Sequence, residues 1–247
     1  MKGEKRIAYF AGCVVNHVDP KVGKSTIQVL RRQGFRPMLL DEKCCGIPQL
    51  AVGNLPEFLK HAEFNVRSML EADCDIVTAC TSCAMAIKRD YPERLKTVEA
   101  ERLSKRTYDI MEYLTMLEAD SAFDTDLRPL NLSLAYHAPC HLKAMGEALV
   151  DARLRLLRAI PGLSVNRVER GCCGMGGTFG TKRSNYAMSM KIGQPLFERI
   201  AELAPDLVAT DCPGCQMQIQ HGTGLAVIHP IQILEQAYGI SKQGSAN

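Results

Sequence analysis

Cys44-Cys45-Gly46 recurs as Cys172-Cys173-Gly174, and each copy sits at the centre of five cysteines. The first set is Cys13, Cys44, Cys45, Cys80 and Cys83; the second is Cys140, Cys172, Cys173, Cys212 and Cys215. Lone cysteine and pair are 31 residues apart in the first set and 32 in the second. Pair and closing C-x-x-C are 35 and 39 apart. Ten of the eleven cysteines thus follow one pattern, C…CCG…CxxC, which independent core cysteines would not repeat. The eleventh, Cys74, lies outside both sets and reads as a packed thiol.

Working outward from these turns, each set is threaded through apolar runs of strand length. Strands are predicted at residues 7–11, 37–40 and 76–79, then at 132–137, 163–168, 207–210 and 225–228. Between them, Asp19-Pro20 opens a helix closed by Gly34, and Asn54-Leu55-Pro56 caps one running to residue 72. Residues 84–119 read as helical with a break at Pro92, and 144–159 as one helix. A helix over 183–203 carries Gly193 and Pro195, which should kink it; another spans 230–238, and 241–247 is a frayed tail. The acidic, turn-rich stretch 120–129 is the linker, giving domains 1–125 and 126–247.

Alternation of strand and helix implies right-handed crossovers and parallel sheets. The expected fold class is therefore α/β, with two similar Rossmann-like lobes related by a pseudo-two-fold internal repeat. Cys13, Cys44, Cys80, Cys140, Cys172 and Cys212 each follow a predicted strand, at the carboxyl edge where open α/β sheets bind ligands.

Composition narrows the chemistry. With 46% hydrophobic and 23% charged residues the chain is of globular type, and a net charge of +3 gives no reason to expect a nucleic-acid partner. Arg153, Arg155 and Arg158 read as one solvated helix face. No apolar run approaches a membrane span. The segment from Lys2 to Cys13 superficially resembles a lipoprotein signal, but its apolar part is short. A similar unit recurs at residues 134–140, so a strand ending at a cysteine is the better reading, and the expected location is cytoplasmic. Soft thiolates select zinc, copper(I) or iron–sulfur clusters. Structural zinc is satisfied by four ligands, whereas adjacent cysteines in a set of five suit a centre with several metal atoms. A multinuclear iron–sulfur cluster in each lobe is the favoured expectation, with a redox disulfide or zinc as alternatives. Gly46, Gly174, Gly176 and Gly177 would let backbone approach such a group. His137, His141 and His229 are expected to support the sites rather than ligate, and Lys182 and Arg183 to be a solvated helix start.

The assembled motifs resemble the cysteine-rich, or CCG, domain family. The quoted stretches are Tyr9-Phe10-Ala11-Gly12-Cys13-Val14-Val15-Asn16, Glu42-Lys43-Cys44-Cys45-Gly46-Ile47-Pro48, Pro139-Cys140-His141, residues 172–180, Val208-Ala209-Thr210-Asp211-Cys212 and His229-Pro230. They are similar to motifs of the cysteine-rich subunit of heterodisulfide reductase, the glycolate oxidase iron–sulfur subunit and the lactate-utilisation iron–sulfur protein. Most of all they are similar to the cysteine-rich subunit of anaerobic glycerol-3-phosphate dehydrogenase. The resemblance implies one noncubane [4Fe–4S] cluster per lobe, held by the ten cysteines named above. It implies an electron-transfer subunit of an oxidoreductase complex, working beside a flavoprotein dehydrogenase subunit of glycerol-3-phosphate, lactate or glycolate type. Electrons would pass towards a quinone or other carrier, with peripheral contact at the inner face of the cell membrane. Heterodisulfide-type cleavage or formation of a disulfide is the alternative activity, and a zinc-binding assembly module a further one. The glycerol-3-phosphate dehydrogenase relative carries an N-terminal ferredoxin-like segment, and no C-x2-C-x2-C-x3-C-P run occurs here. The chain is then either an excised domain or receives electrons from a separate ferredoxin-like iron–sulfur protein.

Overall fold

A computed structural model describes residues 5–240, so the expected frayed tail at 241–247 and Lys2 lie outside the described residues. The chain divides into two compact units, residues 1–124 and 125–247. In the first, β1 (Lys5–Phe10), β2 (Phe35–Leu39), β3 (Ile76–Thr78) and β4 (Thr107–Asp109) form a parallel sheet of order β2-β1-β3-β4. In the second, β5 (Leu132–Tyr136), β6 (Leu163–Arg167), β7 (Leu207–Ala209) and β8 (Val227–Ile228) repeat that order as β6-β5-β7-β8. The sequence repeat is thus a repeat of topology.

The central strands are apolar because helices cover both faces of a parallel sheet. Ile7, Ala8, Tyr9 and Phe10 are all buried, as are Leu134, Ala135 and Tyr136. On one face of the first sheet, Ala8, Phe10 and Ile76 pack with Phe58, Ala62, Val66 and Met69 of the helix Leu55–Leu70. Cys45, Cys80 and Cys83 belong to that same core. On the matching face of the second sheet, Ala135 and Val208 pack with Leu196, Phe197 and Ile200 of the helix Tyr186–Leu203, together with Cys173 and Cys215.

Several expectations need correction. The stretch 84–119 is not simply helical: it contains β4, whose three residues are too few to register as periodicity. Pro92 does not break it: the helical backbone runs on from Thr81–Met85 through a π-turn at Ala86–Asp90 into Tyr91–Leu95, and the break falls at Lys96, in left-handed conformation. The helix expected over 144–159 is divided at Gly146 (φ +130°) into Cys140–Met145 and Glu147–Arg158. The helix expected over 183–203 begins as a 3-10 turn, Arg183–Asn185, and continues as Tyr186–Leu203 with Pro195 inside it.

Arg153, too, is not on a solvated face with Arg155 and Arg158. It is fully buried, and its Nε lies 3.1 Å from Asp211 Oδ1, itself fully buried. Tyr136 donates its hydroxyl to the other Asp211 oxygen at 2.5 Å. A buried guanidinium is tolerated only when its charge and N–H groups are matched. Among the described residues, no helix is long and apolar enough to cross a membrane.

Arg153→Met is expected to destabilise the protein by about 3–5 kcal/mol in denaturant titration, because it strands a buried carboxylate. At the equivalent positions the first lobe has Thr26 and Ala79. The double change Arg153→Thr with Asp211→Ala, which installs that uncharged solution, should therefore recover part of the loss.

Candidate functional site

Strand order delivers the cysteines. Cys13 lies in the short helix Gly12–His17 that follows β1, Cys44 and Cys45 in the loop after β2, and Cys80 at the end of β3 as N-cap of Thr81–Met85. Cys83 sits one turn further along that helix. Because β2, β1 and β3 are neighbours, their three following loops lie side by side at the carboxyl edge. The second lobe repeats this. Cys140 opens the helix Cys140–Met145 after β5, Cys172 and Cys173 follow β6, and Cys212 caps Pro213–Thr223 after β7 with Cys215 inside it.

The sulfurs of each set come together. Cys13 Sγ and Cys44 Sγ are 3.6 Å apart, and side-chain interactions link Cys44 with Cys45, Cys45 with Cys83 and Cys83 with Cys80. In the second set Cys215 donates to Cys173 across 3.1 Å, Cys172 pairs with Cys173, and Cys212 with Cys215. Cys140 stands within electrostatic reach of Cys212 and Cys173. These separations are far beyond the ~2.05 Å of a disulfide, and all eleven cysteines are free. Among the described residues no three His, Cys, Asp or Glu side chains form a cage for a single metal ion. What the fold assembles is a run of neighbouring thiols.

That run concentrates negative charge on particular atoms. Hydrogen bonds from Cys13 and Cys45 hold the Cys44 thiol far below its ordinary range, and those from Cys172 and Cys215 do the same for Cys173. The donors move the other way: Cys13 is raised by its bond to Cys44 and by burial, and Cys172 by its bond to Cys173 and by burial. In each set the downward shift falls within the CC pair, and the thiolate is the form that binds soft metals.

Backbone conformation fixes the two CCG turns. Gly46 has φ +88° and Gly174 φ +87°. A Cβ at Gly46 would lie 2.6 Å from the Phe58 ring, and one at Gly174 only 2.0 Å from the Ser189 carbonyl oxygen. Polar side chains on the covering helices then grip the turns. Asn65 accepts from Lys43 N at 2.8 Å and donates to the Lys43 and Cys44 carbonyls at 3.1 and 3.3 Å. Tyr91 donates to the Cys45 carbonyl at 3.1 Å. In the second lobe Ser189 donates to the Gly174 carbonyl at 2.8 Å, and Gln218 donates to Ser189 at 2.8 Å. Sequence reasoning missed these residues. The available signal was a polar residue on an apolar helical stripe: Asn65 among Phe58, Ala62 and Met69, Ser189 among Gly193, Leu196 and Ile200.

The remaining candidates divide. His229 caps the helix Pro230–Ala237, its Nδ1 accepting from Ile231 N at 3.0 Å, which is a structural role. His141 is half-buried beside Cys140, and Lys182 and Arg183 are exposed. Cys74 is half-buried against the first core. His137 is buried, and burial lowers its pKa to about 4. The sets also differ in access: Cys140 and Cys172 are exposed, whereas Cys13 and Cys44 are half-buried.

Gly174→Ala should cost about 1–2 kcal/mol for its left-handed backbone, plus the clash with Ser189. Gly224→Ala, also left-handed (φ +72°) but with nothing within 4 Å of its Cβ, should cost the backbone part alone, as thermal unfolding would show. Because His137 is held neutral below its ordinary value, the metal-free protein should lose stability as pH falls from 6.5 towards 4. The loss attributable to this residue is on the order of 3 kcal/mol. It should be absent from His137→Phe when denaturation midpoints are compared across that window.

The chain matches the cysteine-rich CCG domain over residues 7–88 and again over 134–220. It is 40% identical over 240 residues to one subunit of the anaerobic glycerol-3-phosphate dehydrogenase of Escherichia coli K12, covering 94% of this chain and 59% of that protein. It is 32% identical over 218 residues to an uncharacterized iron–sulfur protein of Methanocaldococcus jannaschii, covering 87% and 41%. To the lactate utilization protein A of Bacillus pumilus it is 29% identical over 239 residues, covering 93% and 96%. The chain thus spans about three fifths of the first of these relatives and nearly all of the last. Two matched domains, each with the full C…CCG…CxxC set on a parallel sheet, make this chain a member of the cysteine-rich CCG domain family.

Proposed function

We propose that the chain is an iron–sulfur electron-transfer protein with one cluster in each of lobes 1–125 and 126–247. The observation that carries this is the convergence of five free sulfurs at matching sheet edges in both lobes. The donor set fits such a group. Five neighbouring thiols exceed the four that one tetrahedral ion takes, and adjacent cysteines suit different metal atoms of one cluster. The glycine turns leave backbone close to the sulfurs, and among the described residues the buried hydroxyls of Thr78 and Thr210 lack hydrogen-bond partners at the same step before each CxxC.

In this reading Cys13, Cys44, Cys45, Cys80 and Cys83 hold one noncubane [4Fe–4S] cluster, and Cys140, Cys172, Cys173, Cys212 and Cys215 the other. A bound cluster supplies reversible one-electron storage. The protein's part is to keep the thiolates charged, to hold the CC pair rigid through Asn65, Tyr91, Ser189 and Gln218, and to shield the inner sulfurs within its cores. The partners in this reading are a flavoprotein dehydrogenase subunit and a ferredoxin-like protein or domain, with delivery to a quinone or other carrier at the membrane surface; likeness to a subunit of a dehydrogenase supports a multi-subunit setting. The exposure of Cys140 and Cys172 favours a second reading for the second site, direct cleavage or formation of a disulfide in a thiol substrate.

Anaerobic reconstitution should load about eight iron and eight sulfide per chain, and Cys45→Ser or Cys173→Ser should each remove about half. Zinc in both sites with no reducible chromophore would overturn the proposal.

A further inference from the structure

The two sites share their sulfurs but not their surroundings, and His137 marks the difference. It stands three residues before Cys140, as Phe10 stands three before Cys13. Phe10 lies in the first core, among Cys45, Cys80 and Cys83. His137 follows Ala135 on the alternate residues of one strand path, and Ala135 faces the core that contains Cys173 and Cys215. Its backbone N–H continues the sheet by donating to the Ala209 carbonyl at 2.9 Å, which fixes the residue against β7. The side chain is 2% exposed, and among the described residues its Nδ1 has no hydrogen-bond partner. Cys173 is the largest charged influence upon it after burial itself.

A buried ring nitrogen without a partner costs about 1–3 kcal/mol, and native proteins seldom leave one so. The Cys173 and Cys215 sulfurs in the core that this side of the strand faces indicate what completes it. We infer that His137, as a neutral imidazole, donates a hydrogen bond from Nδ1 to a sulfur of the cluster held by the second set, raising that cluster's reduction potential above the first's. This rests on the reading given under Proposed function. A donor to a cluster sulfur favours the more negative, reduced state, so it raises the potential. Phe10 offers the first site no such donor. The orphan hydroxyls of Thr78 and Thr210 are present in both lobes, so they do not distinguish them. His137 is a positioning residue here, distinct from the ten sulfur donors.

The test is redox titration of the reconstituted full chain, followed by electron paramagnetic resonance, for wild type, His137→Phe, His137→Gln and Phe10→His. His137→Phe should keep its iron and sulfide and shift one centre, and one only, to lower potential. His137→Gln, which retains an amide donor, should restore part of the shift, and Phe10→His should raise the other centre. Unmoved potentials in fully loaded His137→Phe would overturn the assignment. So would loss of one centre's iron, with the fold retained by circular dichroism, because it would make His137 a ligand. Wild type that binds no iron or sulfide would instead bring down the iron–sulfur reading itself, and this inference with it.

Discussion

The third residue of each CCG turn adopts a backbone conformation that only glycine enters without strain, and there is no room beside it for a side chain. With Gly46 at φ +88° and Gly174 at φ +87°, each cysteine pair is turned back towards the covering helix. The peptide groups so displaced are taken up by Asn65 and Tyr91 in one lobe and by Ser189, itself held by Gln218, in the other. Parallel strand order does the rest. The loops after three adjacent strands meet at one edge, so sulfurs far apart in sequence meet without any long, disordered connection.

On this common scaffold the lobes have diverged in their interiors. Tyr9 and Tyr136 are equivalent, yet among the described residues the buried Tyr9 hydroxyl has no hydrogen-bond partner, whereas Tyr136 joins the buried Asp211–Arg153 pair. Glu42 accepts from Ala11 N, Gly12 N and Asn16 at 3.0, 2.7 and 2.9 Å, tying the first CC loop to the start of the Cys13 helix; burial raises its pKa. Its counterpart two residues before the second pair is the exposed Arg170. The two sets of five sulfurs thus stand in unlike electrostatic surroundings, and surroundings of that kind tune the properties of a site. Fold alone does not decide what such centres do.

The sequence by itself determined the fold class, the doubling and the candidate sulfurs. These are written in short-range signals: apolar runs of strand length, glycine punctuation and cysteine spacing. Periodicity survives into structure because it reflects which face of each element is buried, and that is settled locally. β4 escaped because three residues carry no period, and Gly146 because a long helix pattern continues on both sides of it.

Only the tertiary structure decided which polar residues are interior. Arg153 sits on a helix whose neighbouring arginines face solvent, and nothing within that helix announces Asp211 fifty-eight residues later. Asn65, Ser189 and His137 are likewise ordinary in sequence and become consequential because a carbonyl or a cysteine from another element arrives beside them. A buried polar group is stable only with its partner, and partners are assigned by packing between elements, which no single segment encodes.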